Sequence, residues 1–593
     1  MAKPAAGWDC PEISLEVKEG KPDIGAFKVD SQPLYTLASP LWKAGWTMPA
    51  LDRPQEDSKT AWPLWKPMPE EKWAKQPRAG RADMPENMGA MKKVVEEMVV
   101  GEFWGIEFPF TPTQLQEMGP KWLTKALHTN GTMPKDNEIV EFVGMKVKAW
   151  DVTNSDDPDD NDFGGAGCKV LLDVKYKKDP GELSTKMFIK MPHELNGKNE
   201  RFKNSMGGQD WYEVMFYNLI AGRIPVRTPR GYFCDMSRKT TNFCMVLEAV
   251  PYGDTWIRNY APYEVYPNPA KYRDWAASYS LYVDFYYAHA RAQGQLFGWY
   301  HNQCAPLGAG KTDQIDRCFQ EDGRLGMFVA IFNHVRSLKT REERDKWFVQ
   351  SFQDPATAGM AYSADQPPNI AEGFVSLAED FVGSAKRHTF PRLYTSQAYL
   401  DRWFKESYEM AKYLSEMSWF CQCKPEYYSL AHPNAMIDNA FYWRDDSGTM
   451  NCGMLDWGGC SHMTMPRALA GNFISAEVEL MDEHEEGLTK CMLDEYEKAT
   501  GTKLDFDEFF LCLKLSYIAI HIGNCASVRW CNQILPKEKW PSTRDRFDGN
   551  IDDGFLMRCY HVQTELFLGM WKKRNPYPYF KDWMARTGLP TKQ

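Results

Sequence analysis

Polar residues suited to phosphate and metal chemistry are concentrated between residues 429 and 459. Asn439 ends a short polar loop, and Asp456 follows the next run of strand-forming residues. The runs FYWR and MNCGML flank the turn DDSG, which predicts two antiparallel strands joined by a tight turn. Such a hairpin brings Asn439 and Asp456 side by side. An amide oxygen beside a carboxylate oxygen is a suitable pair of ligands for a Mg²⁺ ion that carries a nucleotide's phosphates.

The spacing of these residues resembles the catalytic and metal loops of the protein-kinase-like superfamily. Residues 432–439 read HPNAMIDN and residues 456–458 read DWG, which is most similar to the aminoglycoside/choline phosphotransferase branch. In that branch the loop begins His-Gly-Asp, and the aspartate accepts the proton of the substrate hydroxyl. Asn434 occupies that position here, and an amide cannot accept the proton. The resemblance therefore implies an intact metal pair, Asn439 and Asp456, beside a degenerate base position.

Three interpretations of Asn434 remain open at the level of sequence. The chain could bind nucleotide, or only a partner, without turnover. Transfer could persist slowly, because its transition state is loose and depends mainly on positioning and charge neutralisation. Asp438 could substitute for the base, although its place beside Asn439 would require a rearranged loop. His432 is assigned a structural role, since in this superfamily it orients the loop through backbone hydrogen bonds.

A second pair of charged residues is predicted in the first half of the chain. The strand KMFIKMP places Lys190 at its end, and the helix WYEVMFY that follows carries Glu213. A buried ammonium group requires a carboxylate partner, and Glu213 is the natural candidate. The resemblance implies that this pair aligns the phosphates of ATP. It also implies that main-chain groups of a short hinge bind adenine, and this hinge consists of Leu247, Glu248, Ala249 and Val250.

The loop between the first two predicted strands lies where phosphates would be covered. It contains three glycines near residue 165, but five aspartates precede or adjoin them. Because carboxylates repel phosphates, the favoured interpretation is a solvated acidic tip. The DFG sequence at residues 162–164 lies in the wrong lobe for metal binding.

The order of predicted elements favours an α+β, bilobal, protein-kinase-like fold. Residues 1–110 form a Pro- and Trp-rich extension without sustained periodicity, which we expect to pack on the main domain or to dock a protein partner. Residues 111–250 read as a small β-rich lobe with one strong helix. Residues 251–593 read as a large helical lobe with an insertion at about 300–390.

Composition and net charge limit the classes of partner and the cellular compartment that we expect for the protein. The net charge of −10 argues against a nucleic-acid partner. No apolar run reaches the roughly 18 residues that span a bilayer, so no transmembrane segment is expected. Fifteen cysteines are scattered along the chain, which indicates reduced thiols, and the first residues lack the apolar core of a secretory signal. We therefore expect a cytoplasmic protein.

The favoured function is that of a kinase-like protein that binds nucleotide and whose phosphoryl transfer is impaired or absent. It would act as a pseudokinase or an interaction subunit. The alternative is an active ATP-dependent phosphotransferase that phosphorylates a hydroxyl group of a small molecule. Fold alone does not choose between these two functions.

Overall fold

The structure is a computed structural model that covers most of the two predicted lobes. Residues 1–97, which make up most of the extension, lie outside the described residues. So do the acidic loop at 149–166 and parts of the 300–390 insertion. The described residues are 98–148, 167–192, 210–250, 279–303, 325–353 and 368–592, apart from 99, 182, 211, 219, 222, 223, 238, 239, 385, 433 and 445–448.

The smaller lobe is built on an antiparallel sheet of five strands in the order β1-β2-β3-β5-β4. Each strand coincides with one of the predicted runs of β-branched and aromatic residues. Lys190 stands opposite Met245 of β5 and Lys169 of β2, so its strand is the middle one of the five. The strands are β1 (Ile139–Lys148), β2 (Cys168–Tyr176), β3 (Lys186–Met191), β4 (Gly231–Ser237) and β5 (Asn242–Glu248).

Helices cover the smaller lobe. Helix α1, Pro112–Thr129, begins where the Thr111 hydroxyl accepts a hydrogen bond from the Gln114 amide, with proline in its first turn. Its apolar side packs with β1, β2 and β3 in one hydrophobic cluster. Helix α2, residues 212–218, contributes to the separate and larger cluster that continues into the helical lobe. The two clusters fix the middle strand, and with it Lys190, between them.

The last residues of the predicted extension pack against the edge strand β4. Asp235 accepts hydrogen bonds from the backbone amides of Phe103 and Trp104 at 2.9 and 3.0 Å. The indole of Trp104 donates to the Cys234 carbonyl oxygen at 3.0 Å. A side chain at Gly101 would collide with the Asp235 carboxylate. Residues 101–104 therefore belong structurally to the smaller lobe.

The larger lobe is helical, as predicted. Two glycines of its first helix, Gly294 and Gly298, lie so close to the helix Val478–Thr500 that a Cβ atom at either would collide with it. The helices are α3 (Tyr279–Gln303), α4 (Leu325–Ser337), α5 (Arg341–Gln353), α6 (Pro368–Val382), α7 (Gln397–Ala411), α8 (Leu414–Gln422), α9 (Met465–Asn472), α10 (Val478–Thr500), α11 (Phe506–Ile534), α12 (Gly549–Asp552), α13 (Phe555–Lys573) and α14 (Tyr577–Thr587).

Helix α11 is the central helix of this lobe. It is long enough and, with a mean hydropathy of 1.4 over its most apolar window, apolar enough to cross a membrane, which the sequence analysis did not anticipate. However, 78% of that window is buried within the protein. The helix packs against α6, α8, α9 and α13. These contacts are typical of a core helix.

Four short strands lie along the chain between helices α8 and α9. β7 (Ala440–Arg444) and β8 (Met450–Met454) form the predicted hairpin, with Ala440 opposite Met454, and its turn lies outside the described residues. β6 (Tyr428–Ala431) pairs with β9 (Ser461–Thr464), which the sequence analysis did not predict. The α+β bilobal architecture is confirmed: a small β-rich lobe stands beside a large helical lobe.

Candidate functional site

Lys190 joins the two lobes through a pair of ionic hydrogen bonds. Its ammonium Nζ donates to Glu213 Oε2 and to Asp456 Oδ1, each at 2.6 Å. The Lys190 and Glu213 side chains are 5% and 1% exposed, whereas that of Asp456 is 34% exposed. The charged bridge is therefore sealed on the side of α2 and open to solvent on the side of Asp456. The structure forms the predicted pair of Lys190 and Glu213 and adds to it Asp456 of the predicted metal pair.

Burial and charge act in opposite directions on this bridge. Burial alone lowers the pKa of an ammonium group, but the carboxylates of Asp456 and Glu213 hold the pKa of Lys190 above its usual value. Burial raises the pKa of Glu213, and the nearby Asp456 carboxylate raises it further, against the lowering by Lys190. One positive charge thus stands between two carboxylates. The bridge is one negative charge in excess when all three groups are ionised, which suits a divalent cation at its open side.

Asp456 has an uncommon backbone conformation. Its φ of 62° places it in the left-handed region, where among the described residues only one other non-glycine residue, Thr241, is found. Aspartate tolerates this region better than most residues, but the conformation is still costly. Such strain persists only where the surroundings impose it, and it is concentrated at functional sites.

The tryptophan of the DWG sequence holds Asp456 in place. The Trp457 ring is fully buried and stacks on Phe216 of α2, with ring centroids 3.9 Å apart and planes inclined by 11°. Its indole N–H donates to Thr228 Oγ1 at 3.0 Å. Phe216 is one helical turn beyond Glu213, so a single helix contacts both Lys190 and the residue after Asp456. The sequence analysis missed this stack and Thr228, because the partners lie far apart in the chain.

Asn439 lies beside Asp456, as the hairpin predicted. The amide of Leu455, the residue before Asp456, donates to the Asn439 carbonyl oxygen at 3.0 Å. The side-chain amide Nδ2 of Asn439 donates to the Asn434 carbonyl oxygen at 2.7 Å. Because the NH₂ group is committed to this bond, the orientation of the side chain is fixed, and its oxygen Oδ1 is the atom that could ligate a cation.

His432 has the structural role that was expected of it. The imidazole is buried, its Nε2 lies 2.9 Å from the Leu455 carbonyl oxygen, and its Nδ1 accepts from the Asn434 amide at 3.3 Å. The ring also lies against Trp457, with centroids 4.7 Å apart. This histidine therefore ties the polar loop to the strand that ends at Asp456. Pro433, between His432 and Asn434, lies outside the described residues.

The two candidates for the base position differ in exposure. Asn434 is half-buried, at the point of the loop that Asn439 and His432 hold. Asp438 is only 4% exposed, in the 3-10 turn Ile437–Asn439. A substitute base must reach the acceptor hydroxyl, and a carboxylate this deeply buried would have to move to do so. The substitution by Asp438 stays a prediction.

The predicted hinge is the end of strand β5 and the residues after it. Leu247, Glu248 and Ala249 are buried, and Val250 is half-buried. The Glu248 amide donates to the Arg230 carbonyl oxygen at 2.8 Å, and the Ala249 amide donates to that of Lys186 at 3.4 Å. These two N–H groups are thus committed to the protein itself, and a contact with adenine would have to use other main-chain groups of this segment. The adenine-binding role of the hinge stays a prediction.

The donor set fits Mg²⁺ better than a metal bound entirely by protein. No group of three or more His, Cys, Asp or Glu residues that could hold a metal ion is found in the described part of the chain. Asn439 and Asp456 supply an amide and a carboxylate oxygen. Mg²⁺ is usually bound by one or two such side chains together with phosphate oxygens and water, so this pair is sufficient. The twelve cysteines among the described residues are free thiols.

Comparisons with known proteins give similarities of structure only. No protein-family model and no curated protein sequence matches the chain. An ethanolamine kinase from Plasmodium vivax matches at 10% identity and a TM-score of 0.33, covering 83% of this chain and 96% of that one. The GDP complex of aminoglycoside 2'-phosphotransferase-IIIa matches at 11% identity and a TM-score of 0.29, covering 75% and 99%.

A microcompartment-associated aminopropanol kinase matches at 10% identity and a TM-score of 0.29, covering 79% of this chain and all of that one. At such low identities and TM-scores these matches carry no argument about activity. The fold assignment rests on the chain itself: the five-stranded sheet, the ion pair between its middle strand and α2, and the hairpin that ends in Asp456. Together these features give the chain an α+β bilobal fold, which is consistent with the protein-kinase-like resemblance of its sequence.

Proposed function

We propose that the chain binds a nucleotide, ATP, together with Mg²⁺ between its two lobes, and that its phosphoryl transfer is impaired or absent. In this proposal Lys190, held by Glu213, neutralises phosphate charge, and Asn439 and Asp456 supply the protein ligands of the cation. The segment Leu247–Val250 borders the adenine. Mg²⁺ would supply charge neutralisation at the phosphates.

One observation supports the proposal above the others. The Lys190 ammonium contacts both Glu213 and Asp456 at 2.6 Å, while the half-buried loop position that would carry the base is Asn434. An ionic bridge with two of its three members buried is costly to maintain for packing alone, since a hydrophobic core of similar volume is often at least as stable. Its presence therefore favours retained nucleotide binding, and Asn434 removes the proton acceptor.

A second candidate function is an active ATP-dependent phosphotransferase that acts on a hydroxyl group of a small molecule. The fixed orientation of Asn439 favours this second function. Its Nδ2 donates to the Asn434 carbonyl oxygen at 2.7 Å, which leaves the Oδ1 atom in a position suited to metal binding. Loss of a general base typically costs about 10²–10⁴-fold in rate. Positioning and charge neutralisation could still support slow transfer.

Restoring the carboxylate separates these two functions. ATP turnover would be measured for the wild type and for Asn434→Asp, with and without a panel of small-molecule alcohols and amino alcohols. The proposal predicts turnover near background for the wild type and a rise of about 10²–10⁴-fold for Asn434→Asp. Wild-type turnover of about 1–100 s⁻¹, the range of typical kinases, would contradict impaired transfer and establish the second function.

We also propose that the extension contributes to an interaction with a protein partner or a second copy, in the cytosol. Five tryptophans lie between residues 42 and 73, and leaving them in water is costly. The truncated chain should begin at residue 98, because residues 101–104 pack against Asp235. Deleting residues 1–97 should reduce solubility or abolish association. A truncated chain of equal solubility, stability and assembly state would contradict this role.

A further inference from the structure

A cavity of about 790 Å³ lies in the helical lobe, away from the candidate nucleotide site. It is lined by the ends of α3, α4 and α10, the start of α5, and the turn before β6. Tyr427, in its wall, precedes β6, whereas His432 follows the other end of that strand. The two residues are five positions apart along an extended segment, which corresponds to about 16 Å. None of the residues that form the ionic bridge lines this cavity.

The lining is unusually rich in positive charge. Seven lysine or arginine side chains and four aspartate or glutamate side chains face the cavity, an excess of three positive charges in a protein whose net charge is −10. The cavity volume falls within the range of roughly 300–1,000 Å³ that is common for small-molecule sites. A positively charged concavity of this size on an acidic protein is a candidate site for an anion.

Most of the cavity's charges are already paired within the protein. Glu508 is bonded to Arg341, Lys424 and Arg586, and Asp345 also pairs with Arg586. The remaining two acids are likewise engaged: Glu426 pairs with Arg344 at 3.2 Å, and Asp505 accepts from the Glu508 amide at 2.8 Å.

Three cations of the lining have no carboxylate within ion-pair distance among the described residues: Arg336, Lys339 and Lys503. Lys339 and Lys503 are exposed, so water solvates their ammonium groups. These three side chains account for the excess of positive charge.

Arg336 provides the observation that points to a ligand. Its guanidinium Nη1 is buried and has no hydrogen-bond partner among the residues that the structure describes. A buried N–H of a charged group costs free energy unless it is paired. Burial also lowers the pKa of Arg336, against the raising effect of Glu426. Planar guanidinium groups match the geometry of phosphate and carboxylate oxygens, so the half-buried Arg336 side chain, which lines the cavity, is suited to binding an anion.

We propose that this cavity is a binding site for a small polyanion with phosphate or carboxylate groups, which Arg336 contacts inside the cavity and Lys339 and Lys503 contact at its mouth. The site is separate from the nucleotide cleft, and the inference holds whether or not the cleft binds ATP. The existing ion pairs around Glu508 form part of the cavity wall.

Calorimetric titration of the full chain with pyrophosphate and with citrate tests this site. The double variant Lys339→Ala/Lys503→Ala changes only exposed side chains and should keep the fold. We expect it to weaken binding on the order of tenfold or more, since two charge-assisted contacts are lost. Arg336→Ala should weaken binding at least as much, and Arg336→Lys should restore only part of it. Binding should weaken as salt rises.

The matched control is Lys537→Ala/Lys572→Ala, which removes the same charge from two exposed lysines elsewhere in the lobe. It should leave the affinity unchanged. Failure of the wild type to bind either anion would overturn the proposal. So would an affinity that both cavity variants leave unchanged but Lys190→Met abolishes, because the anion would then occupy the nucleotide cleft. Equal losses in the cavity and control variants would indicate attraction by overall charge only.

Discussion

The two sides of the candidate cleft differ in how much of the fold holds them. On the phosphate side, Lys190 comes from the middle strand, Glu213 from α2 and Asp456 from the end of the hairpin, and all three meet within hydrogen-bond distance. On the acceptor side, the base position is a single half-buried residue, Asn434, on a loop. A side chain whose bonds join three elements contributes to the stability of the fold. A loop residue can be replaced with little loss of stability.

Under the proposed function, this difference would let nucleotide binding be kept while transfer is lost. Replacement of Asn434 leaves the backbone carbonyl that Asn439 contacts in place, since that bond uses main chain. Replacement of Lys190 would leave the Glu213 carboxylate buried without its cation.

Lys190→Met should produce the largest loss of stability. Removing one member of a buried ion pair typically costs about 3–5 kcal/mol, because the remaining charge is uncompensated. Urea denaturation would measure it, with Lys175→Met on the neighbouring strand as the control. Lys175 is 65% exposed, so its replacement should stay within about 0.5 kcal/mol. Equal costs for the two variants would show that the bridge does not contribute to stability.

Asn439→Ala should weaken Mg·ATP binding by about 10- to 100-fold. It removes the amide oxygen proposed as a metal ligand and the bond to the Asn434 carbonyl oxygen, and contacts to charged groups are typically worth about 1.5–3 kcal/mol. Calorimetric titration with Mg·ATP, and with ATP in EDTA, would measure the effect. If Asn439 is a ligand, the loss should be confined to the titration with Mg²⁺.

Trp457→Phe should cost about 0.5–1.5 kcal/mol, since it keeps the stack on Phe216 but removes the hydrogen bond to Thr228. The melting temperature would report this change. Trp530→Phe is the control, because Trp530 is 38% exposed and its replacement should change little. A loss of nucleotide binding in Trp457→Phe without loss of stability would show that Trp457 acts directly on the ligand rather than by packing.

Asp438→Asn should have the smallest effect. If Asp438 is not a substitute base, the change should leave ATP turnover unaltered both in the wild type and in the Asn434→Asp background. The buried position of Asp438, at 4% exposure, is the reason for this expectation. A fall in residual turnover confined to the wild-type background would show that Asp438 does accept the proton.

Local patterns were sufficient to predict much of the fold. Alternating and β-branched runs predicted the five strands of the sheet, and the turn DDSG between two such runs predicted the hairpin that joins Asn439 to Asp456. The pair of Lys190 and Glu213 could be proposed because a buried ammonium group on a strand requires a partner. These features depend on neighbours that are close in the chain or chemically obligatory.

Features that depend on distant neighbours could not be predicted. The resemblance placed Lys190 and Asp456 at one site, but their direct bond joins positions 266 residues apart, and no spacing rule indicates it. The β6–β9 pair consists of two four-residue strands without a tight turn between them. The charged cavity takes its lysines and arginines from several helices and loops, so their clustering exists only in the folded chain.

Calorimetric titration of Mg·ATP into the wild type and into Asp456→Asn tests the central claim most directly. The account predicts saturable binding to a single site in the wild type, dependent on Mg²⁺, and its loss in Asp456→Asn. A 100-fold excess of Mg·ATP over Kd should also stabilise the wild type by about 2.7 kcal/mol. The absence of binding, or equal binding of Mg·ATP by both proteins, would contradict a cation held by Asn439 and Asp456 opposite Lys190.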